Sequence, residues 1–291
     1  MTTPIAYSQP YVRCQDPNFR QWLSPLESRR MGSILKRAIV TSQQVMDSSG
    51  ILQPDAVITG TGLGCIDSTE QFLSQLNAQG EQMLKPTCFM QSTHNTISSL
   101  IAIHHRLHGY NTTYSHGSLS FESALMDAFI QLRLGDIDTA LVTGNDELTP
   151  TYYRILQRAG LLGQPGQVTA SEASVAMMLT TSAAGALCQV LSVDLTYEDM
   201  ICLPLNDVDL LVLGYNGVAD HDLFYDRVAA CLPAVSHFCY KQLFGEGYSA
   251  SALGVYAAAH LIAAGRATGA LFVNRSHDGN CSCIMLKQPS A

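Results

Sequence analysis

The sequence predicts a layered α/β fold built from two similar halves. Its apolar segments alternate between helical and strand spacing, the pattern of layered α/β proteins. Residues 55–65 and 208–217 each form a buried strand that enters a glycine-containing loop. Each half also contains an apolar helix that stops at a glycine before a further strand. This repeated order indicates an internal duplication, with halves at residues 1–164 and 165–291 that pack as one compact unit.

The elements of the first half follow from the spacing of apolar residues. In residues 30–46 and 118–134 these residues recur every three or four positions, which is helical spacing. Gly109 and Gly135-Asp136 are stop signals for two of the helices. Predicted helices cover residues 30–46, 68–78, 95–108 and 118–134, and predicted strands cover residues 55–65, 112–114 and 139–145.

The second half repeats the theme. Residues 175–180 and 186–195 are predicted to be two strands paired with each other. A strand at 208–217, a helix at 249–264 and a strand at 269–274 follow. Cys281 and Cys283 form a Cys-x-Cys pattern, which we interpret as one face of a terminal strand in preference to a zinc site.

Composition narrows the classes of function. Only 14% of the residues are charged and 47% are hydrophobic, so much of the surface must be buried in a core or against a partner chain. The formal charge is −8 and no long basic run occurs, which argues against nucleic-acid binding. No apolar stretch approaches the ~20 residues of a membrane helix. The nine cysteines form no disulfide framework, so we expect reduced thiols and a cytoplasmic protein.

One segment carries a family resemblance. Residues 86–147 contain a helix that ends at a glycine, a strand, a turn, and a helix that closes at Gly135-Asp136 before another strand. This order resembles the active-site region of the β-ketoacyl synthases of the thiolase superfamily. The nucleophilic cysteine of that family corresponds here to Ser118, and no cysteine lies between Cys88 and Cys188. The resemblance extends over about residues 30–291 and implies a thiolase-like layered αβαβα fold.

The two catalytic histidines of the resembling family are also replaced. The first, in a His-Gly-Thr motif, corresponds to Asn216 in LGYNGVADHD. The second, in a Lys-Ser-x-x-Gly-His motif, corresponds to Glu246 in KQLFGEGYSASALG, where Lys241 and Gly245 remain. Looser matches are SEASVAMML at 171–179, to a Gly-Glu-Gly strand, and NRSHDGN at 274–280, to an Asn-Ser-Phe-Gly loop.

These replacements bear on the chemistry that the resemblance implies. Condensation needs a thiolate with a lowered pKa to carry the acyl group and two imidazoles to stabilise the enolate formed by decarboxylation. The Ser118 hydroxyl stays protonated without a base, Asn216 exchanges no proton at pH 7, and a Glu246 carboxylate repels an enolate. We therefore expect Ser118, Asn216 and Glu246 to be degenerate positions without condensing activity, and we expect no cofactor.

The segments FMQSTHNT and GYNTTY are similar to one branch of the family, the chain-length-factor-type subunits of aryl-polyene or flexirubin-type pathways. The resemblance implies a heterodimer with an active ketosynthase that works on an acyl carrier protein. It also implies a dimer interface at residues 95–114. The floor of the partner's acyl tunnel would be formed by four residues, Phe89, Met90, Gln91 and Thr93. The alternative is that Phe89 and Met90 belong to the local core.

Other interpretations remain open at this level. Ser118 is also explained as an ordinary helix N-cap. In a different class of function, the chain is an active thiolase-fold acyltransferase or hydrolase in which Ser118 acts with His116 or Glu246. A third possibility is a homodimeric scaffold.

Two further patterns receive plain interpretations. His104, His105 and His108 include an i, i+4 pair, but no acidic or cysteine ligand has matching spacing, so we interpret them as helix-surface residues and expect no metal. The glycines at 60, 62 and 64 resemble a nucleotide loop only superficially, because the acidic residue stands at Asp67 and not at the ribose distance.

Overall fold

The computed structural model describes residues 11–82, 84–196 and 206–289, which form two mixed sheets with helices between and outside them. The strands are β1 Ala56–Gly60, β2 Tyr110–Tyr114, β3 Thr139–Asp146, β4 Ala173–Thr180, β5 Gln189–Thr196, β6 Leu210–Leu213, β7 Ser236–Cys239, β8 Gly269–Arg275 and β9 Cys281–Lys287. The helices are α1 Pro25–Ser28, α2 Ser33–Ser49, α3 Ile66–Gln79, α4 Pro86–Gln91, α5 Thr96–His105, α6 Ser120–Leu134, α7 Pro150–Arg158, α8 Ala219–Cys231, α9 Tyr240–Phe244 and α10 Ala250–Ala263. Short 3₁₀ turns occur at Phe19–Gln21 and Gly117–Leu119.

The two sheets repeat one topology. The first has the order β2-β1-β3-β4, with β1 parallel to β2 and β3, and β4 antiparallel to β3. The second has the order β5-β9-β8-β6-β7, with β6 parallel to β7 and β8, and β9 antiparallel to β8. Strands β7-β6-β8-β9 therefore match β2-β1-β3-β4, and β5 is an additional strand. The prediction of two similar halves is confirmed.

A local hydrogen-bond motif is repeated as well. Asp55, just before β1, accepts bonds through Oδ2 from the backbone N–H and the hydroxyl of Thr139, each at 2.9 Å. Asp209, just before β6, accepts the same two bonds from Thr268, at 2.8 and 2.7 Å. Each aspartate thereby fixes the start of a central strand relative to its parallel neighbour. The matching motifs support a duplication at the level of single residues.

The core lies between the sheets and around them. Helices α6 and α10 pack in the middle layer, where Phe121, Leu125 and Val255 join a cluster with residues of both sheets. Helices α2 and α5 cover the other face of the first sheet, and α8 covers that of the second. The resulting order is helix, sheet, helix, sheet, helix. It confirms the predicted thiolase-like αβαβα fold and places the start of α6 between the halves.

The predicted pairing of residues 175–180 with 186–195 is wrong. Strand β4 pairs with β3 in the first sheet, and β5 pairs with β9 in the second. The connection between them crosses from one sheet to the other, so closeness in sequence did not mean pairing. The last strand of the first sheet therefore ends at Thr180, and the chain then enters the second sheet. This change of sheet comes after the predicted boundary between the halves 1–164 and 165–291.

Two smaller predictions have opposite outcomes. Cys281 and Cys283 both lie buried on the same side of β9, as expected for a terminal strand. Ser118, however, is not the N-cap of its helix: α6 begins at Ser120 after a 3₁₀ turn, and Leu119 is its N-cap. The Ser120 hydroxyl takes the local bonds, accepting from His116 N–H at 2.9 Å and donating to the Gly117 carbonyl at 2.6 Å.

Within the described ranges, no helix has the length and apolar character needed to span a bilayer.

Candidate functional site

The three positions that the resemblance predicts to be degenerate meet between the halves. Ser118 lies in the turn before α6, Asn216 follows β6, and Glu246 follows α9. Ser118 and Glu246 line one small pocket, and Asn216 is bonded to Glu246. Gly247, Tyr248, His277 and the leucines 156, 161 and 162 complete the lining. The pocket encloses about 10 Å³, which is room for one water molecule at most.

The hydroxyl of Ser118 is not activated in this arrangement. Across the described residues it forms no hydrogen bond, whereas its backbone carbonyl accepts one from Asn274 Nδ2 at 3.3 Å. His116, the partner considered for it, is directed elsewhere: its Nδ1 lies 2.8 Å from Ser123 Oγ. Ser123 donates its own proton to the Leu119 carbonyl, so Nδ1 of His116 is the donor of that contact. The arrangement therefore provides no general base for Ser118 from His116.

Glu246 is the charged centre of the site. Its Oε2 lies 3.0 Å from Lys241 Nζ and accepts a hydrogen bond from Asn216 Nδ2 at 2.8 Å. The two ionic side chains are only 3% and 5% exposed. Burial acts to raise the pKa of Glu246, but the Lys241 ammonium and the hydrogen bonds outweigh it and lower the pKa below its ordinary value. Glu246 is consequently a carboxylate.

The backbone around Glu246 explains why the neighbouring glycine remains. Gly245 has φ +89°, and a Cβ there would approach the Ser171 side chain to 2.7 Å. Both the left-handed conformation and the close approach favour glycine. Glu246 N–H then donates to the Thr169 carbonyl at 2.9 Å, and the Glu246 carbonyl accepts from Ser171 N–H at 2.8 Å. The carboxylate is thereby held by the segment that leads into β4.

Sequence reasoning missed two histidines of this site. His221, in the first turn of α8, has Nδ1 3.2 Å from Asn216 Nδ2, and its ring centroid lies 5.4 Å from that of His277. Burial, followed by the charge of Lys241, lowers the pKa of His221 to about 4. Burial also lowers the pKa of His277, against the pull of Glu246. Both rings are neutral at pH 7. Their only sequence signal is their place in the quoted motifs ADHD and NRSHDGN.

A buried glutamate fixes the Ser118 turn from behind. Glu122, four residues further along, is fully buried and accepts bonds from Asn274 at 2.7 Å, Ser251 at 2.9 Å and Ser282 at 3.1 Å. These donors belong to the second half, so Glu122 joins the halves. Burial raises the pKa of this carboxyl. Because Asn274 also donates to the Ser118 carbonyl, the two halves position Ser118 together.

The residues assigned to the tunnel floor lie apart from the pocket. Phe89 and Met90 on α4 are 58% and 70% exposed, which contradicts the alternative that they belong to the local core. The centroid of the Phe89 ring lies 5.3 Å from that of the Phe72 ring. Gln91 Nε2 donates to the Arg30 carbonyl, and Thr93 bonds the Thr96 hydroxyl at 3.0 Å. None of the four lines the Ser118 pocket.

The three histidines considered as metal ligands, His104, His105 and His108, have different surroundings in the structure. His104 Nδ1 lies 3.5 Å from Glu27 Oε1, while burial lowers the pKa of His105 to about 4. His108 is exposed in the loop after α5. A search of residues 11–82, 84–196 and 206–289 finds no group of three or more His, Cys, Asp or Glu side chains able to hold a metal ion.

An αβαβα fold with a nucleophile-position turn between two similar halves defines a ketosynthase-like protein. The family model for the beta-ketoacyl synthase N-terminal domain matches residues 7–200, about two thirds of the chain. The chain therefore belongs to the β-ketoacyl synthase family.

Individual relatives agree with this family. A 3-oxoacyl-[acyl-carrier-protein] synthase 2 of Mycobacterium leprae (strain TN) is 25% identical over 130 residues, 43% of this chain and 31% of that protein. The chain thus matches about a third of the length of that curated relative. The ishigamide ketosynthase/chain length factor structure is 16% identical with a TM-score of 0.79 and covers 96% of this chain and 88% of that one.

Two further structures have the same fold. A type II polyketide synthase acyl-carrier protein in complex with its ketosynthase bound to the hexaketide gives 13% identity and a TM-score of 0.79, over 96% of this chain and 91% of that one. A β-ketoacyl synthase from Burkholderia phymatum STM815 gives 12% identity and a TM-score of 0.77, over 91% and 84%. At these identities the likeness concerns the fold.

The Lys241–Glu246 pair generates a stability prediction. Replacing Lys241 by Met should destabilise the protein by about 3–5 kcal/mol, because it leaves a buried carboxylate without its cation. The double change Lys241→Met with Glu246→Gln should recover most of that loss. Urea unfolding measures both. The control is Lys287→Met, which removes an exposed ion pair to Asp207 and should cost at most about 1 kcal/mol. Equal effects of Lys241→Met and Lys287→Met would contradict the assignment.

Proposed function

We propose that this chain is a non-catalytic, chain-length-factor-type subunit that pairs with an active β-ketoacyl-acyl carrier protein synthase in aryl-polyene biosynthesis, a polyketide- or fatty-acid-type pathway. The observation that carries the proposal is the ionised, Lys241-paired Glu246, at the position where the resemblance implies a catalytic imidazole. The buried ion pair with Lys241 supports a structural role for Glu246 in place of a catalytic one.

Electrostatics supports the loss of condensing chemistry. Decarboxylation of a malonyl group leaves an enolate, which needs hydrogen-bond donors or positive charge nearby. The Lys241 cation is already neutralised by Glu246, and His221 and His277 are uncharged. A second negative charge developing here would meet the Glu246 carboxylate in a poorly solvated site, where repulsion is strong. Among the described residues, moreover, no hydrogen bond joins the Ser118 hydroxyl to His116 or to Glu246 as a base.

A partner ketosynthase would be accommodated at the edge of the first sheet. Strand β2 is the edge strand there, and Tyr110 and Asn111 at its start are exposed. The preceding helix α5 carries Ile103, which is 70% exposed. Between residues 86 and 116 Arg106 is the one Lys, Arg, Asp or Glu. An open edge with scarce charge suits pairing with a second, similar chain.

The proposal extends to the acyl carrier protein and to product length. Two structures of the same fold are described as a ketosynthase/chain length factor and as a ketosynthase in complex with its acyl-carrier protein. We assign the same partners to this chain. The exposure of Phe89 and Met90 on α4 supports a role for them against a partner, as the floor of its acyl tunnel.

The assembly test is co-expression with candidate ketosynthases followed by native mass spectrometry. We expect a 1:1 heterodimer that buries upward of ~2,000 Å², as obligate interfaces do. The variant Asn111→Pro removes a backbone donor from β2 and should abolish the heterodimer, because proline interrupts edge pairing. The control Ser236→Pro alters β7, the corresponding edge of the second sheet. A stable monomer in the presence of every partner would contradict the proposal. A homodimer alone would contradict it as well and would favour the homodimeric scaffold.

The isolated chain should release no carbon dioxide from malonyl carrier protein. Ser118→Cys should fail as well, because Glu246 still repels the enolate and no imidazole is charged. Radiolabelled carbon dioxide release is the measurement, with Ser118→Ala as the background. Release by wild type above that background would refute the assignment. A covalent acyl adduct on Ser118 by mass spectrometry would instead support the acyltransferase.

The tunnel-floor assignment predicts a change in product length. Phe89→Ala should lengthen the products made by the reconstituted heterodimer, because each added CH₂ gains about 0.8 kcal/mol of burial where the chain is saturated. Met90→Trp should shorten them. The matched control is Leu243→Ala, which removes another exposed apolar side chain on α9. Product lengths from assembled heterodimers that do not differ among these variants would exclude the gating role.

A further inference from the structure

The pocket beside Ser118 is small and partly open to solvent. Its volume is about 10 Å³, which is room for about one water molecule. Among its lining residues Tyr248 is the largest side chain. It stands in the loop between α9 and α10, two residues after Glu246. The Tyr248 ring therefore takes up more of the space around Ser118 than any other residue that lines the pocket.

The ring of Tyr248 occupies the gap between a strand end and the Ser118 turn. On one side it lies directly over Gly62, just after β1, where a Cβ would come within 2.5 Å of Tyr248 Cδ1. On the other side a Cβ on Gly117 would be 3.9 Å from Tyr248 Cε1. Gly62 has no side chain because the ring fills that volume. The same ring reaches the residue immediately before Ser118.

Further contacts hold the ring in place. Tyr152 on α7 and Tyr248 pack against the same apolar cluster. Burial is the main cause of a raised pKa for Tyr248, which keeps the phenol neutral. The apolar cluster includes Leu63, Leu156 and Leu162. Two of the leucines that line the pocket, Leu156 and Leu162, belong to this cluster. The Tyr248 ring is thus packed against this apolar cluster.

We infer that Tyr248 is a steric plug that keeps acyl groups out of this chain's own pocket. The loss of space for an acyl group is then separate from the replacement of the catalytic side chains. The inference rests on the proposed function, since it leaves the acyl chain wholly to the partner ketosynthase. A bulky substituent on residue 118 would enter the pocket that Tyr248 lines, where the ring lies over Gly62. Restoring a thiol therefore restores no acyl site.

The test uses a thiol at position 118 as a reporter of space. Ser118→Cys is combined with Tyr248→Ala, and with Tyr248→Phe as the matched control that keeps the ring. Each protein, purified alone or with its co-expressed ketosynthase, is treated with iodoacetamide or with an N-octyl iodoacetamide. Peptide mass spectrometry gives the alkylation rate at position 118 relative to that at the exposed Cys231.

With Tyr248 or Phe at position 248, we expect slow octyl labelling at position 118. Tyr248→Ala should raise the relative octyl rate at least tenfold, because the vacated volume admits the chain. Tyr248→Leu, a milder reduction, serves if the alanine variant fails to fold, as judged by circular dichroism and by unchanged Cys231 labelling. Fast octyl labelling with Tyr248 present, or a gain confined to iodoacetamide in the folded smaller variant, would overturn the plug. Heterodimer formation, read separately by native mass spectrometry, reports on the proposed function whichever result is obtained.

Discussion

The ion pair between Lys241 and Glu246 is the constraint on which the rest of the site depends. A buried ammonium requires a compensating negative charge, and a buried carboxylate requires a cation and donors. Lys241 and Asn216 both contact the same oxygen of Glu246, and Asn216 in turn contacts His221. Once the carboxylate stands at position 246, the neighbouring side chains arrange around it. The charge that would otherwise stabilise a developing anion is already neutralised.

The fold explains why so few residues decide the site. Two matching sheets enclose α6 and α10, and the ends of their central strands converge where the halves meet. Ser118 comes from the first half, while Asn216, Glu246 and His277 come from the second. Glu122 and Asn274 bond across the junction and fix the turn that carries Ser118. Apolar packing and buried hydrogen bonds maintain the geometry of this junction.

Chemistry and space have separate physical origins in this chain. The chemistry depends on charge and proton transfer at Ser118, Asn216 and Glu246. The space depends on Tyr248, whose ring lies over Gly62 and packs against the same apolar cluster as Tyr152. The open edge strand β2 and the exposed side chains of α4 lie elsewhere on the molecule. The surface proposed for a partner is therefore separate from the Ser118 pocket.

The sequence by itself determined the alternation of helices and strands and the duplication, and its motifs predicted the positions Ser118, Asn216 and Glu246. Those features are local: apolar spacing, glycine stops and a motif such as KQLFGEGYSASALG are legible without a fold. The tertiary structure decided the pairing of β4 and β5 with different sheets, because strand partners depend on which crossover the chain takes. It also decided the partners of Glu246 and the places of His221, His277 and Tyr248. Glu246 follows Asn216 by 30 residues, and Tyr152 precedes Tyr248 by 96. Contacts over such separations arise only from tertiary packing. The periodicity of apolar residues cannot predict them, because it describes spacing within a single helix or strand.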